Sequence, residues 1–404
     1  MKLAVIGQGY VGLTLAIGAA NAGHKVVGLD INKDLINQLL RGSSYVPGIE
    51  KLDLKKLLES GNYHPTTSSS LLDGAEAIII AVPTPLNSNR KPELKHLESA
   101  AIEIAKFVSN DSLIINESTS YPGTLRNFIK PIVTSRSDVN FQYAAAPERI
   151  DPGNTLWNLS NTPRVISGLT QDATEKTIEL YKTFCSSIYR ASSPEVAEAS
   201  KLFENSFRQI NIALANEFSI ISNSIGFSAN EAINAAATKP FGFMEFFPSI
   251  GVGGHCIPVD PSYLSYAAEL SGVKANFIDL ANQTNLSMIK YVVTKIKAAM
   301  GGSLKDLRIQ IAGISYKPGV TDLRESPALL LIKELSLAGA ILTWCDPLVG
   351  EFEGVKTTDL DVSIDLGLIV TPHKEIDFNI WLNSNTKVFD LSADSNSYGW
   401  PKFL

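Results

Sequence analysis

Cysteine is scarce in this chain. Cys185, Cys256 and Cys345 are the full set among 404 residues, and they lie far apart. An odd, scattered set does not make a disulfide framework and fits a reducing compartment. Five histidines add little metal-binding capacity. His255 adjoins Cys256, but no other Cys or His stands nearby at ligand spacing, so no metal is expected. Basic charge is not in excess, since the net charge is −6, which argues against a nucleic-acid partner. A small anionic substrate needs only a local basic pocket and is not excluded. No apolar run approaches a membrane span. The apolar start Met1–Ile6 meets Gly7 too soon to be a signal-peptide core, so a cytoplasmic protein with no membrane contact is expected. Low-complexity segments and short-period repeats are absent too, which leaves room for the two ends of the chain to be distant copies of one design.

The composition, 45% hydrophobic and 19% charged, describes a globular protein. Its length predicts two or three domains. Short apolar runs at Lys2–Ile6, Lys25–Leu29, Ala77–Val82, Ser112–Asn116 and Phe141–Ala145 read as strands. Helical patterns at Val11–Ala22, Lys33–Leu40 and Leu94–Val108 lie between them. That alternation predicts a parallel sheet covered on both faces. From Pro194 to about Gly226 the apolar spacing is helical without a breaker, giving a helix of roughly thirty residues. Helices at Tyr263–Glu269 and Ile278–Met300 follow, and Gly301-Gly302 then punctuates the chain. Strand and helix alternate again through Leu307–Ile314, Ala328–Leu337, Ala340–Trp344 and Leu366–Val370. The expected fold is α/β: two Rossmann-like doubly wound parallel-sheet domains, residues 1–193 and 303–404. A helical middle domain, 194–302, joins them and carries the long central helix.

Gly7-Gln8-Gly9-Tyr10-Val11-Gly12 follows the first strand and opens a helix. Gly7 permits the turn, Gly9 lets a pyrophosphate approach the backbone, and Gly12 allows close helix packing. The helix start, with Tyr10 and Val11, then offers free N–H groups and a positive dipole end to the phosphates. Asp30 ends the second strand, eighteen residues beyond Gly12, where it can accept both ribose hydroxyls and repel a 2′-phosphate. NAD is therefore expected rather than NADP. Flavin, the rival ligand, lacks a second signature. Lys33 joins the expected cofactor contacts, as do Val82 and Thr84 in Val82-Pro83-Thr84-Pro85 and Thr119 in Glu117-Ser118-Thr119, both at strand ends.

Gly251-Val252-Gly253-Gly254-His255-Cys256-Ile257-Pro258-Val259-Asp260 presents a cysteine on a glycine-rich loop. A buried cysteine in a tight turn is the plain alternative. Beside a nicotinamide, a thiolate has work to do. It can trap the aldehyde from a first hydride transfer, and the adduct can yield a second hydride and become a thioester. Such a pairing suggests four-electron oxidation of CH2OH to a carboxylate. A free thiol near pKa ~8.5 is mostly protonated at neutrality, so a cation helps. Lys201 on the long helix offers one, with Asn205 a turn later on the same face. Asp260 before Pro261 also reads as a helix N-cap.

These motifs resemble the nucleotide-sugar 6-dehydrogenase (UDP-glucose/GDP-mannose dehydrogenase) family over essentially the whole chain. The resemblance rests on GxGYVG, VPTP, Glu117-Ser118-Thr119 with Tyr121-Pro122-Gly123, and Pro147-Glu148-Arg149. It continues through Lys201-Leu202-Phe203-Glu204-Asn205, the Cys256 loop, Tyr316-Lys317, Thr321-Asp322 and Arg324-Glu325-Ser326-Pro327. It implies that Cys256 carries the covalent intermediates and that Lys201 and Asn205 stabilise oxyanions. Asp260 or Glu148 would activate water, and Thr119 would hold a water or the reacting oxygen. Lys317 corresponds to a substrate-contacting lysine and Arg324 to an arginine reaching the cofactor. Phe246 and Gly253 join the implied substrate contacts, with Glu148, Lys201 and Asn205. The implied partner is a UDP-sugar, and a homodimer or higher homo-oligomer is expected from the long helix.

Pro147-Glu148-Arg149-Ile150-Asp151-Pro152-Gly153-Asn154, His255 and Lys239–Met244 resemble the UDP-N-acetylhexosamine branch. Arg149 and Arg208 could meet the N-acetyl group. UDP-N-acetylglucosamine is the expected substrate, with the mannosamine, galactosamine and glucose sugars open. Glu245 and Ser249 depart from that branch, which usually has proline and glycine there, and Val259 replaces a lysine of glucose-type enzymes. The rivals are a two-electron hydroxyacid-type dehydrogenase and a non-catalytic NAD-binding protein.

Overall fold

A computed structural model describes every residue except Pro47, Pro152, Gly153, Thr155 and residues 394–397. The chain gathers into two compact units. One is Met1–Glu204 with Ser262–Val273; the other is Asn205–Pro261 with Lys274–Leu404.

In the first unit, β1 (Lys2–Ile6), α1 (Tyr10–Asn21), β2 (Lys25–Leu29), α2 (Lys33–Leu40), α3 (Lys51–Glu59) and β3 (Tyr63–Thr66) follow in order. Next come β4 (Ala77–Ile80), α4 (Lys95–Phe107), β5 (Leu113–Asn116), a π-helical turn (Leu125–Ile129), α5 (Lys130–Thr134) and β6 (Gln142–Ala145). β7 (Arg164–Gly168), α6 (Gln171–Tyr181), β8 (Ile188–Arg190) and the start of α7 (Pro194–Ile225) complete it. The sheet order is β3-β2-β1-β4-β5-β6-β7-β8. Its first six strands are parallel in the doubly wound dinucleotide-binding order, with the switch point between β1 and β4.

Burial explains why these strands read as continuous apolar runs. Leu3 and Val5 of β1 pack into the core on one face, Ala4 and Ile6 into the core on the other. One step departs from the all-parallel expectation: β7 runs antiparallel to β6. No helix among the described residues lies between those strands, and a parallel return needs a crossover. β3, absent from the sequence reading, carries Pro65, which an edge strand tolerates.

The second unit holds the rest of α7, α8 (Ala229–Ala237), the start of α9 (Asp260–Leu270), and α10 (Asn276–Ala299). β9 (Arg308–Ala312), α11 (Pro327–Leu337), β10 (Ile341–Cys345), a hairpin of β11 (Glu351–Phe352) and β12 (Val355–Lys356), β13 (Leu366–Ile369), α12 (Asn379–Leu382) and β14 (Val388–Asp390) follow. The sheet β10-β9-β13-β14 is parallel throughout.

This sheet repeats the first one's device. Gly7 N donates to Leu29 O at 2.8 Å, and Gly313 N donates to Cys345 O at 2.8 Å. A Cβ on Gly7 would lie 2.4 Å from Ala81 O, and one on Gly313 would lie 1.9 Å from Thr371 O. Asp30 takes the N–H of Gln8 at 2.7 Å, and Asp346 takes that of Ile314 at 2.8 Å. The two α/β sheets thus share the glycine turn and the strand-end aspartate. In the second, His373 closes over Asp346 at 3.2 Å and both are fully buried.

Candidate active site

Each glycine of the first turn has its own physical reason. Gly7 sits at φ +93 against β4, in the left-handed region that favours glycine. A Cβ on Gly12 would meet Gly7 O at 1.9 Å, so close helix packing requires its absence. A Cβ on Gly9 would meet nothing nearer than the Tyr45 hydroxyl at 4.0 Å, so that face stays open to a ligand. Gly9 is also the N-cap of α1, and no side chain caps it. The first N–H groups of α1 and its dipole can therefore receive a phosphate. Asp30 is half-buried and oriented by two backbone donors, Gln8 N at 2.7 Å and Asn32 N at 2.8 Å.

Sequence reasoning passed over Gln8, which is fully buried beneath the turn. Its amide donates to Val5 O and Gly7 O, and its oxygen accepts from the Tyr63 hydroxyl at 2.7 Å. Only glycine fits opposite it, because a Cβ on Gly28 would lie 2.5 Å from that oxygen. Lys33 is exposed at the start of α2, and Tyr10 and Val11 are half-buried.

The loops after β4 and β5 are joined: Val82 N donates to Ser118 Oγ at 2.9 Å. Thr84 is buried, and its carbonyl accepts from the Tyr263 hydroxyl at 3.1 Å. Thr119 is half-buried between Ser118 and Ser120. Beyond β6, Glu148 donates its N–H to Glu117 O at 3.2 Å, and its carboxylate lies 3.7 Å from Lys201 Nζ. Both side chains are buried, so Lys201 is not the solvated charge that a long amphipathic helix usually carries. Arg149 does not pair with Glu148. It forks onto Glu204 at 2.6 and 3.2 Å and donates to Pro163 O. Pro152 and Gly153 of the same motif lie outside the described residues.

Beneath this region lies a buried network. Arg164 from β7 donates to both oxygens of Glu117 at 2.5 Å, and the Tyr181 hydroxyl also donates to Glu117. Burial pushes the Glu117 carboxyl up, opposed by Arg164 and Tyr181. Burial disfavours the Arg164 charge, but the Glu117 carboxylate more than offsets it and the guanidinium stays protonated.

In the second unit, Asn205 Nδ2 donates to Asp260 Oδ2 at 2.5 Å, and both groups are buried. Asp260 is the first residue of α9 rather than its cap, and its N–H donates to Cys256 O at 2.8 Å. The thiol-bearing turn is therefore locked to the carboxylate. Cys256 itself is half-buried and forms no disulfide. The neighbouring glycines have a packing reason: a Cβ on Gly253 would lie 2.7 Å from Pro327, and one on Gly254 2.7 Å from the Tyr316 ring. Motifs far apart in sequence thus close on one loop.

Burial and the Arg324 charge lower the His255 pKa, against Asp322, so the imidazole beside Cys256 is neutral at pH 7. Arg324 is exposed and forks onto Asp322, whose carboxylate raises its pKa. Phe246 packs edge-on against Phe207. Arg208 is exposed, and Lys317 is half-buried with its ammonium 6.0 Å from the Tyr316 ring.

Among residues missed from sequence, Asn216 accepts from Ser249 N at 2.7 Å and donates to Asn285 at 2.9 Å. Buried amides on α7 and α10 thereby fix the start of the cysteine loop. Among the described residues no group of His, Cys, Asp or Glu could hold a metal, and no helix is long and apolar enough to cross a membrane.

Comparison with known proteins identifies the family. The NAD binding domain of the UDP-glucose/GDP-mannose dehydrogenase family matches residues 1–185, its central domain 195–287, and its UDP binding domain 310–392. A UDP-N-acetyl-D-mannosamine dehydrogenase of Campylobacter jejuni is 36% identical over 84% of this chain and 84% of its own. A UDP-N-acetyl-D-glucosamine 6-dehydrogenase of Pseudomonas aeruginosa is 35% identical over 83% of this chain and 80% of its own. The solved UDP-D-ManNAc dehydrogenase of Pyrococcus horikoshii superposes with a TM-score of 0.88 at 31% identity, covering 100% of this chain and 97% of that one. The chain therefore belongs to the UDP-glucose/GDP-mannose dehydrogenase family and is an NAD-dependent oxidoreductase with a UDP-binding domain.

Proposed function

We propose that the protein oxidises the C6 hydroxymethyl group of a UDP-N-acetylhexosamine to the carboxylate, in two hydride transfers and one hydrolysis. NAD supplies the hydride acceptor for both oxidations. The first turns CH2OH into the aldehyde, releasing a proton. The Cys256 thiol adds to the aldehyde carbon and its proton ends on the oxygen, giving a thiohemiacetal. Loss of the second hydride and that proton leaves a thioester, and water releases the acid and restores the thiol. One substrate thus consumes two NAD and one water and yields two NADH.

The single observation that carries this reading is the Cys256 turn. A half-buried thiol is held by a backbone bond to Asp260, whose carboxylate takes Asn205, in a chain with an NAD-binding domain. Asn205 is a neutral donor for a developing oxyanion, and Lys201, paired with Glu148, is the cationic one. Asp260 and Glu148 are the bases proposed for hydrolysis. Gly7, Gly9, Tyr10, Val11, Gly12, Asp30, Lys33, Val82, Thr84, Thr119 and Arg324 are assigned to NAD. Arg149, Arg208, Phe246, Gly253 and Lys317 are assigned to the nucleotide sugar. Of these, Arg149 needs its Glu204 fork rearranged to serve.

For the sugar, UDP-N-acetylmannosamine takes precedence over the glucosamine epimer read from sequence. The relatives from C. jejuni and P. horikoshii carry the mannosamine name, and the P. aeruginosa relative supports the glucosamine alternative. We further propose a homodimer or higher homo-oligomer. Phe207, Leu214, Ile221 and Ile225 on α7 expose apolar surface, as do Phe277 and Leu280 on α10.

NADH counted per mole of UDP-sugar tests the chemistry. Two NADH from UDP-ManNAc, and fewer turnovers with UDP-GlcNAc, UDP-GalNAc and UDP-glucose, are expected. One NADH per substrate would establish the two-electron rival, and none from the whole panel would end the proposal. Light scattering of wild type and L214E tests the assembly, which an unchanged mass in the variant would refute.

A further inference from the structure

Glu198 has no part in the chemistry above, yet its carboxylate is one of the most committed groups in the first unit. It sits in α7, three residues before Lys201, and is 1% exposed. One oxygen accepts Gly123 N at 2.6 Å, and the other accepts Leu125 N at 2.9 Å and Ser120 Oγ at 3.5 Å. Gly123 and Leu125 flank the N-terminus of the helical segment that continues into α5. That N-terminus is otherwise uncapped, because the Thr124 hydroxyl turns back to Tyr121 O and caps no N–H of the segment. An acceptor from another helix therefore fills the place an N-cap residue would take, with a carboxyl group at the positive end of the segment.

The same contacts brace the loop after β5. Ser120 Oγ also accepts from Asn116 Nδ2 at 3.1 Å, and Asn116 Nδ2 donates to Ser118 O at 3.2 Å. On the other side, Ser118 Oγ takes Val82 N. Thr119 is the residue between these two anchored serines. We propose that Glu198 is a positioning residue, whose buried carboxylate clamps the Ser118–Gly123 loop to α7 and so fixes Thr119 with respect to Lys201.

The inference rests on the roles proposed above for Thr119 and Lys201. The titratable groups facing Glu198 are Glu195 on its own helix, Arg126, which pairs with Glu195 at 2.7 Å, and Tyr121 on the loop. Arg126 is thereby neutralised by Glu195, and the clamp depends on backbone donors rather than on a counter-ion. Burial is the largest influence on the carboxyl and pushes it up to about 7, while the two N–H groups pull it back.

The test is Glu198→Gln, which keeps the shape and removes the charge, with Ser120→Ala as a milder lesion of the same brace. In hydrogen-exchange mass spectrometry of the apo protein, E198Q is expected to speed exchange across residues 118–126 by on the order of tenfold or more. The rest of the sheet should keep its protection. With the best UDP-sugar, kcat is expected to fall by at least about tenfold with KM for the sugar within about twofold, and S120A should fall between. Unchanged exchange in E198Q, or kcat within twofold of wild type, overturns the proposal. So does faster exchange throughout the unit, which would mark a merely structural residue. If wild type oxidises no UDP-sugar, the proposed function fails, and the exchange pattern alone still supports or overturns the clamp.

Discussion

Arg164→Met should destabilise the protein by about 3–5 kcal/mol, because it leaves Glu117 charged or forces it to take a proton inside the fold. Both partners are essentially without solvent contact, and Arg164 meets both carboxylate oxygens at 2.5 Å. A second route gives a similar size. Holding a carboxyl of ordinary pKa about 4.3 neutral at pH 7 costs about 3.7 kcal/mol, at about 1.36 kcal/mol per unit. That route also fixes the pH dependence: the cost should shrink by about 2.7 kcal/mol between pH 7 and pH 5. For a unit of roughly two hundred residues, 3–5 kcal/mol corresponds to a Tm lowered by about 6–20 °C. The double variant Glu117→Leu/Arg164→Met removes both charges and should recover most of the loss. Scanning calorimetry of the apo protein at pH 5 and 7 reads all three values. A shift below about 2 °C for R164M at pH 7, or a double variant as unstable as the sum of the singles, would show that the pair is not the buried charge couple described here.

Gly9→Ala and Gly12→Ala should separate binding from folding. A methyl on Gly9 meets open space, so Tm should hold while NAD affinity falls at least about tenfold; a methyl on Gly12 runs into Gly7 O, so Tm itself should fall. Equal Tm losses in the two would contradict this assignment. Asn216→Ala removes the partners of Ser249 N and Asn285 Oδ1, and should cost about 2–4 kcal/mol in denaturant unfolding. A loss under about 0.5 kcal/mol would mean that this amide does not hold the cysteine loop.

The backbone was largely legible because apolar continuity and helical spacing report burial. α7 spans Pro194–Ile225, as its unbroken pattern required, and α2 runs over Lys33–Leu40 as expected. The losses have physical causes. β3 carries His64 and Pro65 and looks unlike a strand, but an edge position accepts both. α6 is polar along most of its length, and its start is set by the Thr170 side chain capping Ala173 N. At the candidate site, the glycine spacing was legible because Gly7 and Gly12 answer steric needs and Gly9 leaves its face open. Gln8, Glu198 and Asn216 gave no such signal. Each has a partner far off in the chain, 55, 73 and 69 residues away, and a lone buried amide or carboxylate looks in sequence like any surface polar residue.

Stability and activity should move in opposite directions with pH at Glu198. In the unfolded chain its carboxyl ionises near 4.3, whereas burial in the fold pushes it up to about 7. Between those values the folded state holds a proton that the unfolded state has lost. Stability is then fully present below the unfolded value and is lost as pH rises through about 7. From pH 5.5 to 8 this amounts to about 2 kcal/mol, or about 4–8 °C in Tm for a unit of this size. The clamp has the opposite requirement, since only the carboxylate offers unblocked acceptors to both Gly123 N and Leu125 N. The kcat of wild type should therefore rise with pH through an acidic limb near 7 while its Tm advantage over E198Q shrinks. E198Q should lack that limb, because a glutamine does not titrate. If the limb persists in E198Q, it belongs to another group. If the Tm difference between the two proteins is flat with pH, the carboxylate titrates at its ordinary value and burial does not govern it.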